Sequence, residues 1–508
     1  MRTRARLIVV LAACLTTGSA TTSVSAEPSA VRTGSKAFPE SVILGEMLTL
    51  LAEHSGATTE YRKGLSGTQV AWRALEKGEI DGYIEYAGTI RKEILTGLDL
   101  PTADDVRRAL AEHGVSMSRP LGFNNAYALG MKRDVAEQRS VRAISDLRAH
   151  PELRFGFTTE FLDRGDGWPG LRARYQLPQT NVRGMEHALA YTSLQDGSID
   201  VMDLYSTDAK IKRFDLVALA DDQHYFPNYD AVLLYRNDLQ TRAPQVMAAW
   251  LKLEGRINED QMIALNAAVE LENLPERRVA ADYLAKSGLL SAEEARRVEV
   301  EGLTARLARA AREHVALVLL SLAAAIVVAL PLGILAAFRP ALGQIVLAVA
   351  GILQTIPSIA ILGLMIPLLG IGFRPAMVAL FLYSLLPIIR NTHAGLRNIP
   401  LSLRESAEAL GLPASARLRL IELPLASPTI LAGIKIAAVI NVGTATLGGF
   451  IGAGGFGEVI FTGLYKSDRA LILQGAIPTA LLALLVQGLF ELAERFLVPK
   501  GLRLQRQR

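Results

Sequence analysis

The stretch HVALVLLSLAAAIVVALPLGILAAF, from His314 to Phe338, contains no Asp, Glu, Lys or Arg. It exceeds the roughly 20 apolar residues that an α-helix needs to cross hydrocarbon, so it reads as a transmembrane span. Charged residues are dense up to about Glu313 and sparse for long stretches beyond it. That contrast divides the chain into a soluble part and a membrane part. With 508 residues the chain is also too long for one hydrophobic core.

Working outward toward the C-terminus, a second uncharged stretch runs from Arg339 to Arg374 and is broken by Pro357, Pro367 and glycines. It predicts one kinked helix, or a helix plus a re-entrant piece. Further spans are expected over 375–389, 425–448 and 471–490, about five in all, with a re-entrant or surface helix near 452–465 as an open addition. Lys435 falls inside the fourth span, where a cation requires a partner or a water-filled path. Arg390, Arg397, Arg404, Arg417 and Arg419 collect between the third and fourth spans, and Lys500, Arg503, Arg506 and Arg508 form the tail. The excess of Lys and Arg places both segments in the cytoplasm.

Toward the N-terminus the expected boundaries are a linker over 291–313, helical in its mix of Ala, Arg, Glu and Leu, and a soluble domain over 27–290. The first residues, Met-Arg-Thr-Arg-Ala-Arg, precede an apolar run from Leu7 to Leu15 and small residues ending at Ala26. This reads as a signal peptide over 1–26. Cys14, the one cysteine, leaves lipidation open, as well as retention of the helix. Each alternative puts the soluble domain outside the cytoplasm. A single cysteine excludes an intramolecular disulfide framework and a cysteine metal site. The formal net charge of +4 and the absence of a basic stripe argue against nucleic acid as a partner.

The loop over 401–424 holds the most specific motif. It reads Glu405-Ser406-Ala407, three residues, Gly411, nine residues, then Ile421-Glu422-Leu423-Pro424. Leu401 to Leu410 can form a short amphipathic helix that Gly411 ends with φ > 0, and Pro413 prevents its continuation. This pattern resembles the EAA loop of ABC-importer permeases, with Ser406 standing for the middle Ala. Further phrases, Gln354-Thr355-Ile356-Pro357-Ser358, Tyr383 to Ile388, Asn441 to Leu447 and Ile451 to Gly455, are similar to the permeases of glycine betaine/carnitine/choline (osmoprotectant) importers. The resemblance covers 314–499 and implies a role for Glu405, Ala407, Gly411, Ile421, Leu423 and Pro424 in coupling to an ATPase. No Gly-x-x-x-x-Gly-Lys-Ser/Thr loop occurs, so the ATPase is expected to be a separate subunit. A permease of this size lines half a path, which implies a second permease copy, as a homodimer or a paired homologue, in a multi-pass cell-membrane protein.

The soluble domain alternates short β-like runs with amphipathic helices, such as 40–53 and 67–77, as an α/β fold does. Its phrases are Gly34-Ser35-Lys36 with Phe38, Gly64 to Thr68, Asp81 to Thr89, Gly122 to Leu129, Tyr205 to Asp208, and Asp221-Asp222 with Phe226-Pro227 and Tyr229. They resemble the solute-binding proteins of the same family. The resemblance implies a two-lobed, periplasmic-binding-protein-like (type II) α/β domain ahead of an all-α transmembrane permease domain. It also implies a ligand with a trimethylammonium group, glycine betaine, choline or carnitine, with ergothioneine left open. Such a group has no hydrogen to donate, so aromatic faces must hold it. The family's cage falls on Tyr86, Tyr127, Tyr205 and Tyr229, with Thr89 as a polar contact, and Ser41 and Gln69 fall on cleft positions that vary among ligands. Trp168 lies in a stretch resembling the ligand loop of the second lobe, as a cage neighbour or a buried anchor. His187 and His224 lack metal-ligand spacing and are assigned satisfied structural roles. No nucleophile elbow or His-Glu-x-x-His site is present, so neither an enzyme nor a resident cofactor is expected. A sensory receptor would need a cytoplasmic output domain, for which the nine residues of the tail over 500–508 are too few.

Overall fold

A computed structural model describes residues 30–65, 67–466 and 468–498. The expected signal segment with Cys14 and the basic tail over 500–508 lie outside these residues. Among them are ten strands: β1 (Val31–Lys36), β2 (Thr59–Leu65), β3 (Gly82–Tyr86), β4 (Val115–Met117), β5 (Tyr127–Lys132), β6 (Phe155–Thr158), β7 (Val182–Met185), β8 (Val201–Tyr205), β9 (Leu216–Ala218) and β10 (Ala231–Arg236). They form two five-stranded sheets, ordered β2-β1-β3-β10-β4 and β7-β6-β8-β5-β9. Each sheet is the centre of one lobe, as expected from the alternation of strands and helices in the sequence.

In the first lobe β1 runs parallel to β2 and β3. Parallel neighbours need a crossover, which the helices Pro39–His54 and Thr68–Glu76 supply. Helix Pro39–His54 is buried on nearly every face because the C-terminal helices Glu259–Glu270 and Glu276–Lys286 cover its outer side. Pro39 at its start loses no hydrogen bond, since the first N–H groups of a helix have no partner within it. The chain crosses between lobes twice, over 118–126 and 219–230, and the two passes meet at a bridge between Asn124 and Asp230.

The membrane half is built on Leu303–Phe338, Phe373–Arg397, Leu423–Thr444 and Arg469–Leu497. Among the described residues four helices are long and apolar enough to cross a membrane, or five spans if Pro340–Thr355 and Ser358–Leu369 count as one. That pair bends by 97°. The break falls at Ile356-Pro357, where proline removes a donor and pushes the preceding residue toward an extended backbone. The long helices approach closely at small residues: a Cβ on Gly433 would lie 2.5 Å from Asn391 Cβ and 2.7 Å from the Pro387 carbonyl oxygen. Two polar side chains buried in the bundle pair across helices, with Asn441 Nδ2 donating to Ser321 Oγ at 3.1 Å and His314 Nε2 to the Val442 oxygen at 2.9 Å. Lys435 meets Glu491 at 3.7 Å, which supplies the partner that its position in a span requires.

The linker expected over 291–313 has three parts. Helix Ala292–Arg297 opens with a reciprocal cap between Ser291 and Glu294. Residues 298–302 are non-helical, and helix Leu303–Phe338 then runs unbroken from above His314 through the first span. The surface helix near 452–465 is Phe456–Lys466, entered through Gly454 and Gly455, both at positive φ. The first lobe rests on the permease: Ile371 N donates to Glu79 Oε2 at 2.6 Å, and Lys466 Nζ lies 2.6 Å from Glu276 Oε1.

Candidate ligand-binding site

Antiparallel pairing of β5 and β8 sets Tyr127 opposite Tyr205. Cross-strand partners share a face of the sheet, and the two rings lie 5.1 Å apart, tilted by 40°. Tyr86 ends β3, and Tyr229 sits just before β10 on the return pass between lobes. Tyr229 stands edge-on to Tyr127 at 5.7 Å and 84°. It packs on Gly88, where a Cβ would come within 2.5 Å of its ring, so the glycine of Ala87-Gly88-Thr89 makes room for it. The four tyrosines and the buried Thr89 line one cavity of about 260 Å³ between the lobes.

Two hydroxyls are tied back into the protein. Tyr86 donates to Glu40 Oε1 at 2.6 Å, and Tyr229 to Asp166 Oδ2 at 2.5 Å. These bonds fix the rings, whose faces can then receive a cation by the attraction of the ring quadrupole. Phe38, from the quoted Gly34-Ser35-Lys36 phrase, adds a ring stacked 6.3 Å from both Tyr86 and Tyr205.

The cavity wall also holds cations that sequence reasoning passed over. Lys36 Nζ lies 5.2 Å from the Tyr86 ring and 2.6 Å from Glu85 Oε1. The Arg164 guanidinium lies 5.5 Å from the Tyr127 ring and grips Asp166 with two bonds of 2.7 and 2.8 Å. Although burial pushes the Asp166 carboxyl up, this fork with Arg164 holds it below the usual carboxylate range. Lys36 lay within a quoted phrase and Arg164 four residues before Trp168, and only their tertiary approach to the rings reveals their place.

Glu40 is a buried carboxylate at the floor of the site. Besides Tyr86 it accepts from Asn125 at 2.8 Å, Thr207 at 2.6 Å and Asn266 at 2.9 Å. Burial raises its pKa against the opposing pull of these donors. His187 pairs with Asp208 through Nε2 at 2.9 Å and in addition lines the cavity, with its ring 5.1 Å from Tyr205. Burial opposes its charge, but Asp208 outweighs burial and the histidine pKa rises.

Two expected cleft residues stand elsewhere. Gln69 is exposed and donates to the Glu93 carbonyl at 2.6 Å, on the outward side of its helix. Ser41 is buried and its Oγ accepts from Lys36 N at 2.8 Å, so it shapes the turn into helix Pro39–His54 instead of facing the cavity. Trp168 is a buried anchor, packed 5.4 Å from Phe155 and 5.2 Å from Phe157. Asp221 closes a turn, accepting from Tyr225 N and Phe226 N at 2.9 Å each.

At the opposite end of the chain Leu401–Ala409 is helical and Gly411 has φ +72°. Ala407 is buried, while Glu405 and the side chains of Leu401, Leu403 and Leu410 are exposed on this loop. Ile421, Leu423 and Pro424 lead into helix Leu423–Thr444, and Glu422 between them is buried beside Arg404 and Arg417 at 3.7 and 3.4 Å.

Residues 29–286 match the family described as the substrate binding domain of ABC-type glycine betaine transport systems. Residues 329–499 match the binding-protein-dependent transport system inner membrane component. The chain is 44% identical over 191 residues to the choline transport system permease protein OpuBB of Bacillus subtilis (strain 168), which covers 37% of this chain and 88% of that protein. It is 43% identical over 196 residues to the osmoprotectant import permease protein OsmW of Salmonella typhimurium, or 38% and 91%. A third relative is the ergothioneine transport permease/ergothioneine binding protein EgtU of Helicobacter pylori (strain G27), 32% identical over 261 residues, 50% of this chain and 47% of that protein.

Proposed function

Because this chain belongs to the family of ABC-type glycine betaine transport systems, joining their substrate-binding domain to their inner-membrane component, we propose that its cage captures a trimethylammonium zwitterion for import. The chain is a multi-pass membrane protein that works with an ATPase partner and a small-molecule ligand. The observation that carries the ligand class is the convergence of Tyr86, Tyr127, Tyr205 and Tyr229 on one cavity together with Lys36 and Arg164. Aromatic faces suit the quaternary ammonium, and a desolvated contact of this kind contributes about 2 kcal/mol. A carboxylate on the same ligand would neutralise the side of the cavity where the two basic groups stand. Glycine betaine and carnitine therefore fit better than choline, a net cation with no carboxylate to set against the two basic groups.

A bulkier betaine such as ergothioneine is the second reading, favoured by the likeness to EgtU and by His187 beside the cage. Domain limits of 27–290 for the binder and 314–499 for the permease, pairing of two permease copies, and a cytoplasmic loop over 401–424 belong to the same proposal. Its mechanism is closure of the lobes on the ligand, docking on the permease, and alternating access driven by the ATPase through the exposed loop that carries Glu405. Calorimetric titration of the full chain in lipid nanodiscs with glycine betaine, carnitine, choline and ergothioneine tests it. Zwitterions should bind more tightly than choline; binding of none of the four would remove the trimethylammonium assignment.

A further inference from the structure

The ligand cavity has one wall that belongs to neither lobe. Tyr465, on permease helix Phe456–Lys466, lines it together with Lys36 and Phe38 of the first lobe and Glu160, Glu186 and His187 of the second. The phenol is partly buried there, and burial together with the nearby Glu186 and Glu160 carboxylates pushes its pKa up to about 12. On the first-lobe side the same helix borders a smaller cavity shared with Ala37, Pro39 and Val42. On the second-lobe side it packs against helix His187–Gln195.

The helix is anchored at both ends. Lys466 reaches Glu276 of the first lobe at 2.6 Å. Glu458 reaches Arg309 at 3.2 Å, at the top of the first membrane helix, and the helix packs along Arg469–Leu497. A hinge motion that parted the lobes would separate two surfaces that this one helix touches together. The helix cannot follow both, because its other attachments are to the permease.

We infer that Tyr465 is the permease's own contribution to the ligand cavity and closes its membrane-side mouth, so that a bound ligand leaves only when helix Phe456–Lys466 moves. This deepens the reading above and rests on it. Retention of the ligand then depends on the state of the permease as well as on the fit of the cage. A Phe at this position keeps the ring and should retain the ligand; an Ala opens the mouth.

The test is the dissociation rate of tritiated glycine betaine, and separately of tritiated choline, from the full chain in nanodiscs, chased with unlabelled compound. Tyr465→Ala should release the probe at least tenfold faster than wild type, with Tyr465→Phe close to wild type. Lys466→Gln, which frees the helix from Glu276 without touching the cavity, should also speed release and serves if the Ala variant does not fold. Wild-type release rates in both Tyr465→Ala and Lys466→Gln, or in folded Lys466→Gln alone when the Ala variant fails, would overturn the inference while leaving the cage standing. Failure of the wild-type chain to bind either probe would instead strike the ligand reading on which it rests.

Discussion

Thr207 Oγ1 donates to Glu40 Oε2 at 2.6 Å, and this bond ties the second lobe to the first through a buried carboxylate. Asn266 strengthens the tie, donating from Nδ2 to the same carboxylate at 2.9 Å and to the Thr207 carbonyl at 3.0 Å. Closure of the lobes is thus written into a single acceptor that gathers donors from both sides.

Thr207→Val keeps the shape of the side chain and removes the donor. Bonds to charged groups contribute about 1.5–3 kcal/mol, so affinity for the ligand should fall by about tenfold or more. Glu40→Gln should be worse, since an amide nitrogen in place of one oxygen faces donors that it cannot accept from. Calorimetric titration of both full-length variants checks the order.

Tyr127→Ala and Tyr205→Ala each remove one ring face from the pair that the β5–β8 register creates. With about 2 kcal/mol per desolvated contact, binding should weaken by about 30-fold in each. Phe at either position should cost much less. Equal losses for Phe and Ala would mean that the hydroxyls, and not the ring faces, hold the ligand.

Glu276 links the domains through Lys466 at 2.6 Å and also pairs with Lys63 of its own domain at 3.4 Å. Burial alone would raise its pKa, but the two lysines bring it down to about 2 from 4.5. A carboxyl depressed in the folded state stabilises fully above its unfolded pKa and loses that effect as pH falls through the folded one. The contribution is on the order of 3 kcal/mol at neutral pH and should fade between pH 4.5 and about 2. Melting temperature against pH should show this decline in the wild type and a flatter profile in Glu276→Gln.

Gly411 has φ +72° and no atom within 4 Å of a Cβ built on it. Gly411→Ala therefore acts through the backbone alone, at about 1–2 kcal/mol. With Glu405→Ala it should lower uptake into ATPase-containing proteoliposomes at least tenfold while ligand binding stays unchanged. Loss of binding in either would separate this loop from coupling.

Much of this arrangement was legible in the residues. Absence of charge marked the spans, and Pro357 marked the broken one. Resemblance of short phrases located Tyr86, Tyr127, Tyr205 and Tyr229, which the fold brings into one cavity. Gln69 and Ser41 misled because a position near a cleft does not fix which side of a helix a side chain takes: Gln69 turns outward and Ser41 inward. Glu40 and Tyr465 left no local signal. A carboxylate whose donors come from residues 86, 125, 207 and 266 is recognisable only after the chain has folded. A tyrosine from the membrane half gives no sequence hint that it borders a pocket in the other half.

The five non-helical residues 298–302 between helices Ala292–Arg297 and Leu303–Phe338 also set a stoichiometry. Fully extended they span at most about 18 Å, so each binder stays over the mouth of the permease to which it is joined. Its search volume is fixed and one binder serves one permease, whatever the level of expression. Surplus free binder cannot crowd the docking surface, and scarcity cannot leave it vacant. Uptake at low external ligand should then scale with the number of transporters in the membrane alone.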